Sequence, residues 1–72
     1  MGPKIIKLNE NEEYLTLQSL LQIGGVISTG GMAKIYLAEN KVMVNGEEEN
    51  RRGRKLRSGD KIEVPGCSFL IK

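Results

Sequence analysis

With one cysteine and no histidine among its 72 residues, this chain has no covalent or metal staple to fold around. A disulfide needs a second thiol, and a Cys/His metal site needs more ligands than one copy supplies. The fold must rest on apolar burial, in a chain short enough to bury only about 60% of the surface it exposes when unfolded. A core of that size contributes roughly 3–5 kcal/mol. Ile, Leu, Val, Met and Ala have to supply it, and large internal pockets are not expected. The same inventory narrows the chemistry. Without histidine, and with one cysteine and one aspartate, there is no Cys-His nucleophilic pair and no acid/base pair in a pocket, so no enzyme, cofactor, metal or small-molecule substrate is expected. Cys67, beside Ser68, Phe69 and Leu70, reads as a small half-buried apolar residue rather than a reactive thiol. A lone cysteine, no apolar stretch of membrane-spanning length and the start Met1-Gly2-Pro3-Lys4 lead to the expectation of a reducing cytoplasm and no membrane association.

The period of the apolar residues changes once along the chain. Lys4-Ile5-Ile6-Lys7-Leu8 is β-branched and reads as a first strand, followed by the polar turn Asn9 to Glu13. Thr16 then stands before Leu17, Leu20 and Leu21, whose spacing marks one helical face, and Gly24-Gly25 supplies a left-handed stop. Ser28-Thr29 offers the N-cap of a second, longer helix in which Ala33, Tyr36 and Leu37 share a face and Asn40, tolerant of positive φ, closes the end. From Val42 the alternation is that of strands: Val42 and Val44, the hairpin signal Asn45-Gly46, then Ile62 and Val64, and after Pro65-Gly66 a last strand from Ser68 to Ile71. The predicted architecture is α+β, two short helices packed on a small, mostly antiparallel sheet, as a single domain over residues 1–72.

Charge is segregated along this body. Residues 1–50 carry four basic and seven acidic groups, whereas residues 51–72 carry seven basic and two acidic, so the net +2 hides opposed halves. Five of the cations fall in Arg51-Arg52-Gly53-Arg54-Lys55-Leu56-Arg57, directly after Glu47-Glu48-Glu49. Charge runs are often plain solvated surface, but this one lies between strand-like segments rather than at a terminus. Arginine meets phosphate with a planar fork and sheds water more readily than lysine. Gly53 is expected to keep the run pliable and Leu56 to anchor it inward. The glutamates are expected to form exposed pairs of about 0–1 kcal/mol that yield to a polyanion. On that view, Arg51, Arg52 and Arg54 can all be changed to Ala without unfolding the domain.

A second anion-attracting feature is the start of the second helix, Thr29-Gly30-Gly31. Backbone N–H groups at a helix N-terminus carry partial positive charge, and glycines let a phosphate approach, although a glycine pair also simply permits a tight turn. Lys34 and Lys41 are seven residues apart, which on a helix places them on one side, with the small Ala38 between them. The two features add only if the basic run lies near this helix. With Tyr14, Tyr36 and Phe69 as the aromatic residues, the last two at core-like spacings, a base-stacking platform is not expected. What remains is backbone and shape recognition of folded or duplex RNA, with DNA not excluded by charge.

The stretch Thr29, Ala33-Lys34, Asn40, Val42-Met43-Val44-Asn45-Gly46 and Leu56-Arg57-Ser58-Gly59-Asp60-Lys61-Ile62 resembles the small RNA-binding domain named after the fourth protein of the small ribosomal subunit, the αL motif. The core of the resemblance runs from Thr16 to Val64. More narrowly, Ser28 to Lys34 and Val44 to Leu56 look like the stand-alone bacterial YaaA-type members. The resemblance implies that RNA is gripped by the start and exposed face of the second helix together with the loop after Val-Asn-Gly. The matching positions are Thr29, Lys34, Lys41 and Arg51 to Arg54. Many members carry arginine where this chain has Gly30, so one phosphate contact is either missing or replaced by backbone donors and the added loop arginines.

Together these readings predict a non-catalytic module that binds the phosphate backbone of structured RNA, ribosomal or transfer RNA, through Thr29, Gly30, Gly31, Lys34, Lys41, Arg51, Arg52, Arg54, Lys55 and Arg57. The process implied by the resemblance is translation or ribosome assembly, with the ribosome itself among the implied partners. The alternative is a protein adaptor whose acidic residues, Glu10, Glu12, Glu13 and Glu47 to Glu49, face a basic ribosomal protein.

Overall fold

In the computed structural model, which describes residues 2–72, the first helix begins where its cap predicts. Thr16 Oγ1 accepts the Ser19 N–H at 3.2 Å, and α1 runs Leu17–Ile23 with Leu17, Leu20 and Leu21 buried. Two carbonyls of its last turn are satisfied by returning N–H groups, Gly24 to Leu20 at 2.8 Å and Val26 to Leu21 at 2.9 Å. Gly25, at φ 76°, is the left-handed residue. Gly24 is needed for another reason: a Cβ there would stand 2.6 Å from the Phe69 ring.

The second helix, α2, runs Met32–Glu39 and is one residue longer than α1. Its start differs from expectation. The cap position is Gly31, with no side-chain hydrogen bond, because two glycines separate Thr29 from the first helical residue. Thr29 contributes its carbonyl instead, accepting the Met32 N–H at 3.1 Å. Asn40 does close the helix, but in an extended conformation (φ −129°, ψ 143°), with its N–H and Nδ2 both donating to the Tyr36 carbonyl at 2.8 and 3.1 Å. Positive φ is therefore not what selects asparagine there.

Strands β1 (Lys4–Ile6), β3 (Met43–Val44), β4 (Glu47–Glu48), β6 (Lys61–Val64) and β7 (Cys67–Ile71) form one sheet in the order β1-β7-β6-β3-β4. β1 runs parallel to β7 and the other pairs are antiparallel. Asn45 and Gly46 both take positive φ, 52° and 85°, as the tight turn between β3 and β4 requires. A separate ribbon pairs β2 (Leu15–Thr16) with β5 (Lys55–Leu56), placing Leu15 opposite Leu56. The chain is thus an α+β domain with two short helices and a mostly antiparallel sheet. Leu17, Leu20 and Leu21 of α1 and Ala33 and Leu37 of α2 share a core with Val44, Leu56, Ile62, Phe69 and Ile71. Leu56 is inward, as expected. Cys67 is exposed rather than half-buried: it lies on the same strand face as Phe69 and Ile71, but it opens β7 at the Pro65-Gly66 turn, at the end of the sheet.

Candidate nucleic-acid interface

The basic run is held from below by one carboxylate. Glu49 follows the β3–β4 hairpin, where its N–H donates to the Val42 carbonyl at 2.8 Å, and its side chain is 7% exposed. It is the one buried charged residue among those described. Its oxygens accept four donors: the Arg51 N–H at 3.1 Å, Arg51 Nε at 3.0 Å, Arg51 Nη2 at 3.3 Å and Arg54 Nη1 at 2.8 Å. The bonds from Arg51 lower the Glu49 pKa to about 2, against burial that opposes the shift and with Arg54 assisting. Glu49 in turn raises the pKa of Arg51. The glutamates are thus unequal: Glu47 and Glu48 lie exposed on β4, whereas Glu49 is buried and paired with both Arg51 and Arg54.

The loop backbone is fixed as well. Arg54 N–H closes a turn onto the Arg51 carbonyl at 3.1 Å, leaving Arg52-Gly53 at the tip. The carbonyls of Arg54 and Arg52 then accept the first two N–H groups of α1, from Leu17 and Gln18, each at 2.9 Å. Gly53 sits at the tip of this turn, with hydrogen-bonded carbonyls on both sides of it. Arg51 remains 74% exposed and Arg54 35%, so each keeps guanidinium edges that Glu49 does not use. Farther along, Lys55 Nζ lies 5.0 Å and the Arg57 guanidinium carbon 5.9 Å from the centre of the Tyr14 ring, within cation–π range. Sequence reasoning left Tyr14 out of the site. Its signal was available: it is the aromatic residue without core-like spacing.

The start of α2 reaches the loop through Gln18. While the backbone N–H of Gln18 binds the Arg52 carbonyl, its side-chain amide fills the space where a Cβ at Gly30 would stand, with Gln22 Oε1 3.5 Å from the same point. The loop tip and the Gly30 turn therefore flank a single residue of α1. Gly31 is more open, with only Thr29 Oγ1 at 4.0 Å from the corresponding point. The Met32 and Ala33 N–H groups donate to the carbonyls of Thr29 and Gly30 at 3.1 and 3.2 Å, so two donors that the sequence offers to an anion are engaged within the turn. Lys34 is exposed on α2, where Met32 and Ile35 are exposed too. Lys41 does not share its face: α2 ends at Glu39, and the extended Asn40 breaks the helical phase assumed for a seven-residue spacing.

The motif residues behind the resemblance serve as scaffold. Asn45 Nδ2 donates to Asp60 Oδ1 at 3.0 Å, Asn45 Oδ1 accepts the Lys61 N–H at 2.9 Å, and Asp60 Oδ2 accepts the Arg57 N–H at 2.7 Å. These bonds tie the hairpin turn to the end of the basic run.

A family model described as "S4 domain" matches residues 6–72. The chain belongs to the S4-domain family. Among S4-domain relatives, a Bacillus subtilis (strain 168) protein named "Probable ribosome maturation protein RlbA" is 52% identical over 60 residues, covering 82% of this chain and 84% of its own. An Escherichia coli (strain K12) protein named "Putative RNA-binding protein YbcJ" is 33% identical over 58 residues, covering 81% of this chain and 83% of its own. No solved structure matches the chain significantly. Among the described residues no helix is long and apolar enough to cross a membrane.

Proposed function

We propose that this S4 domain is a non-catalytic RNA-binding module of the cytoplasm that grips the phosphate backbone of structured RNA, ribosomal or transfer RNA, during translation or ribosome assembly. Residues 1–72 act as one unit with the binding core in 16–64. The observation that carries this reading is the fixed guanidinium loop: Arg51 and Arg54 are held by Glu49 while Arg52 stands at the tip of a turn pinned to α1. Forks fixed before an anion arrives bind it without the entropic cost of ordering long side chains at that moment. Thr29, Gly30, Gly31 and Lys34 extend the surface across Gln18, Lys55 and Arg57 extend it along Tyr14, and Lys41, off the Lys34 face, is the outlying candidate of the set. The names of the Bacillus and Escherichia relatives point the same way.

Binding of purified protein to deproteinised ribosomal RNA, measured across salt concentration, tests the reading. If Lys34, Arg51, Arg52, Arg54 and Lys55 each neutralise one phosphate, log affinity falls against log salt with a slope of roughly −3.5 to −4.5. The double substitution Lys34→Ala, Arg52→Ala touches neither Glu49 nor the core and is expected to reduce that slope by about 1.4–1.8. Absence of RNA binding, or salt-resistant capture of a basic protein instead, would refute it in favour of the adaptor.

A further inference from the structure

We propose that Glu49 is a positioning residue for RNA binding: the buried carboxylate sets Arg51 and Arg54 in the orientation that receives phosphate, and it stays in place when RNA arrives. This inference rests on the RNA-binding reading above and extends it to an acidic residue that never meets the ligand.

The geometry separates two edges of each guanidinium. Glu49 takes Nε and Nη2 of Arg51 through different oxygens, and Nη1 of Arg54. Arg51 Nη1 and the Nε and Nη2 of Arg54 make no hydrogen bond to the carboxylate. The carboxylate is 7% exposed, while the Arg51 side chain is 74% exposed, so a phosphate reaches the arginines from the solvent side without meeting the glutamate. Displacing Glu49 would instead leave an ionised group buried and unpaired, which is strongly unfavourable. The backbone agrees: the Arg51 N–H binds the same carboxylate at 3.1 Å, so orientation of the side chain and closure of the turn are one event.

Charge alone predicts the opposite role. Removing a glutamate adds a positive charge to the surface, and at about 7 Å in screened water that is worth about a twofold gain in phosphate affinity. Losing the order of one long side chain costs roughly two- to tenfold, and two are involved. The ordering effect is the larger, and the signs differ, so the experiment reads a direction.

Affinity for deproteinised ribosomal RNA is measured for Glu49→Gln, Glu49→Asp and Glu47→Gln, each confirmed folded by circular dichroism at the assay temperature. Glu47 lies exposed on β4, so Glu47→Gln gives the pure charge effect, about a twofold gain. Glu49→Gln, with the same change in net charge, is expected to bind at least about threefold more weakly than wild type. Glu49→Asp keeps the charge but withdraws the carboxylate by one methylene, and its affinity is expected to fall between the two. Equal or tighter binding by Glu49→Gln overturns the inference, as does wild-type affinity in Glu49→Asp. A readout on the unmutated chain covers the case of unfolded variants. The Arg51 Nε–H resonance should be shifted and slow to exchange in the free protein, and should remain so with RNA bound. Its collapse to the position of a free arginine in either state sinks the proposal. The Lys34→Ala, Arg52→Ala slope reports separately on the RNA reading, so the two can fail independently.

Discussion

The loop from Arg51 to Arg57 and the turn from Thr29 to Gly31 both attract anions on paper, yet the fold treats them differently. The loop is built: a buried carboxylate bonds two guanidiniums, a backbone turn joins Arg51 to Arg54, and the first amides of α1 hold the backbone carbonyls. The α2 turn is lightly made, with a glycine at the cap, no side-chain bond and two of its donors engaged locally. Charge density does not by itself make a site. The loop differs in having a counter-group beneath it that bonds two of its arginines, which favours one orientation of those side chains over many.

The largest effect should come from the substitution that first looks harmless. Arg51, Arg52 and Arg54 changed together to Ala would remove both side-chain partners of Glu49 and three candidate phosphate contacts. RNA affinity should fall at least roughly tenfold, and the unpaired carboxylate should lower the melting temperature; RNA titration and thermal melting check the two effects. The same change with Glu49→Gln added should regain stability but not RNA binding. Gly30→Ala with Gly31→Ala, the matching lesion in the turn, should leave the domain folded; if it melts as early as the triple variant, the contrast between the regions is lost.

Acid should act next, and on the loop alone. The folded-state pKa of Glu49 is lowered from the usual 4.5 to about 2, so its stabilisation is complete above pH 4.5 and fades as pH falls from there toward 2. Denaturant melts across that window should show a loss of stability that Glu49→Gln lacks. Lys34→Ala is expected to cost about threefold in RNA affinity at low salt with an unchanged melting temperature, because one exposed charge is removed. The smallest effect is that of Gly30→Ala alone: the added methyl meets the flexible end of Gln18, which can swing aside, so stability should change by less than about 1 kcal/mol.

How much of this was legible varies with how local the cause is. Thr16, the leucine spacing of α1 and Asn45-Gly46 act within a few residues, and they yielded a cap, a helix and a hairpin. The ribbon of Leu15 with Leu56 has two residues on each side and no pattern of its own; it exists because Leu56 must be buried and α1 must start beside it. Glu47-Glu48 is poor strand sequence by propensity, and the turn before it imposes the pairing. Lys41 was misplaced because a helical phase was carried past Asn40. Glu49 looked like the third member of an exposed acidic run, and only the return of the chain at Arg51 and Arg54 shows that it differs from its neighbours. The basic residues themselves were readable as a cluster, but the groups that organise them, Glu49, Gln18 and Tyr14, come from other parts of the chain.

Because the amides of Leu17 and Gln18 close on the loop carbonyls, the domain contains its own gauge of loop integrity. These two protons should exchange with deuterated solvent only as fast as the loop lifts from the helix, so their protection reads the free energy of that local opening before any nucleic acid is added.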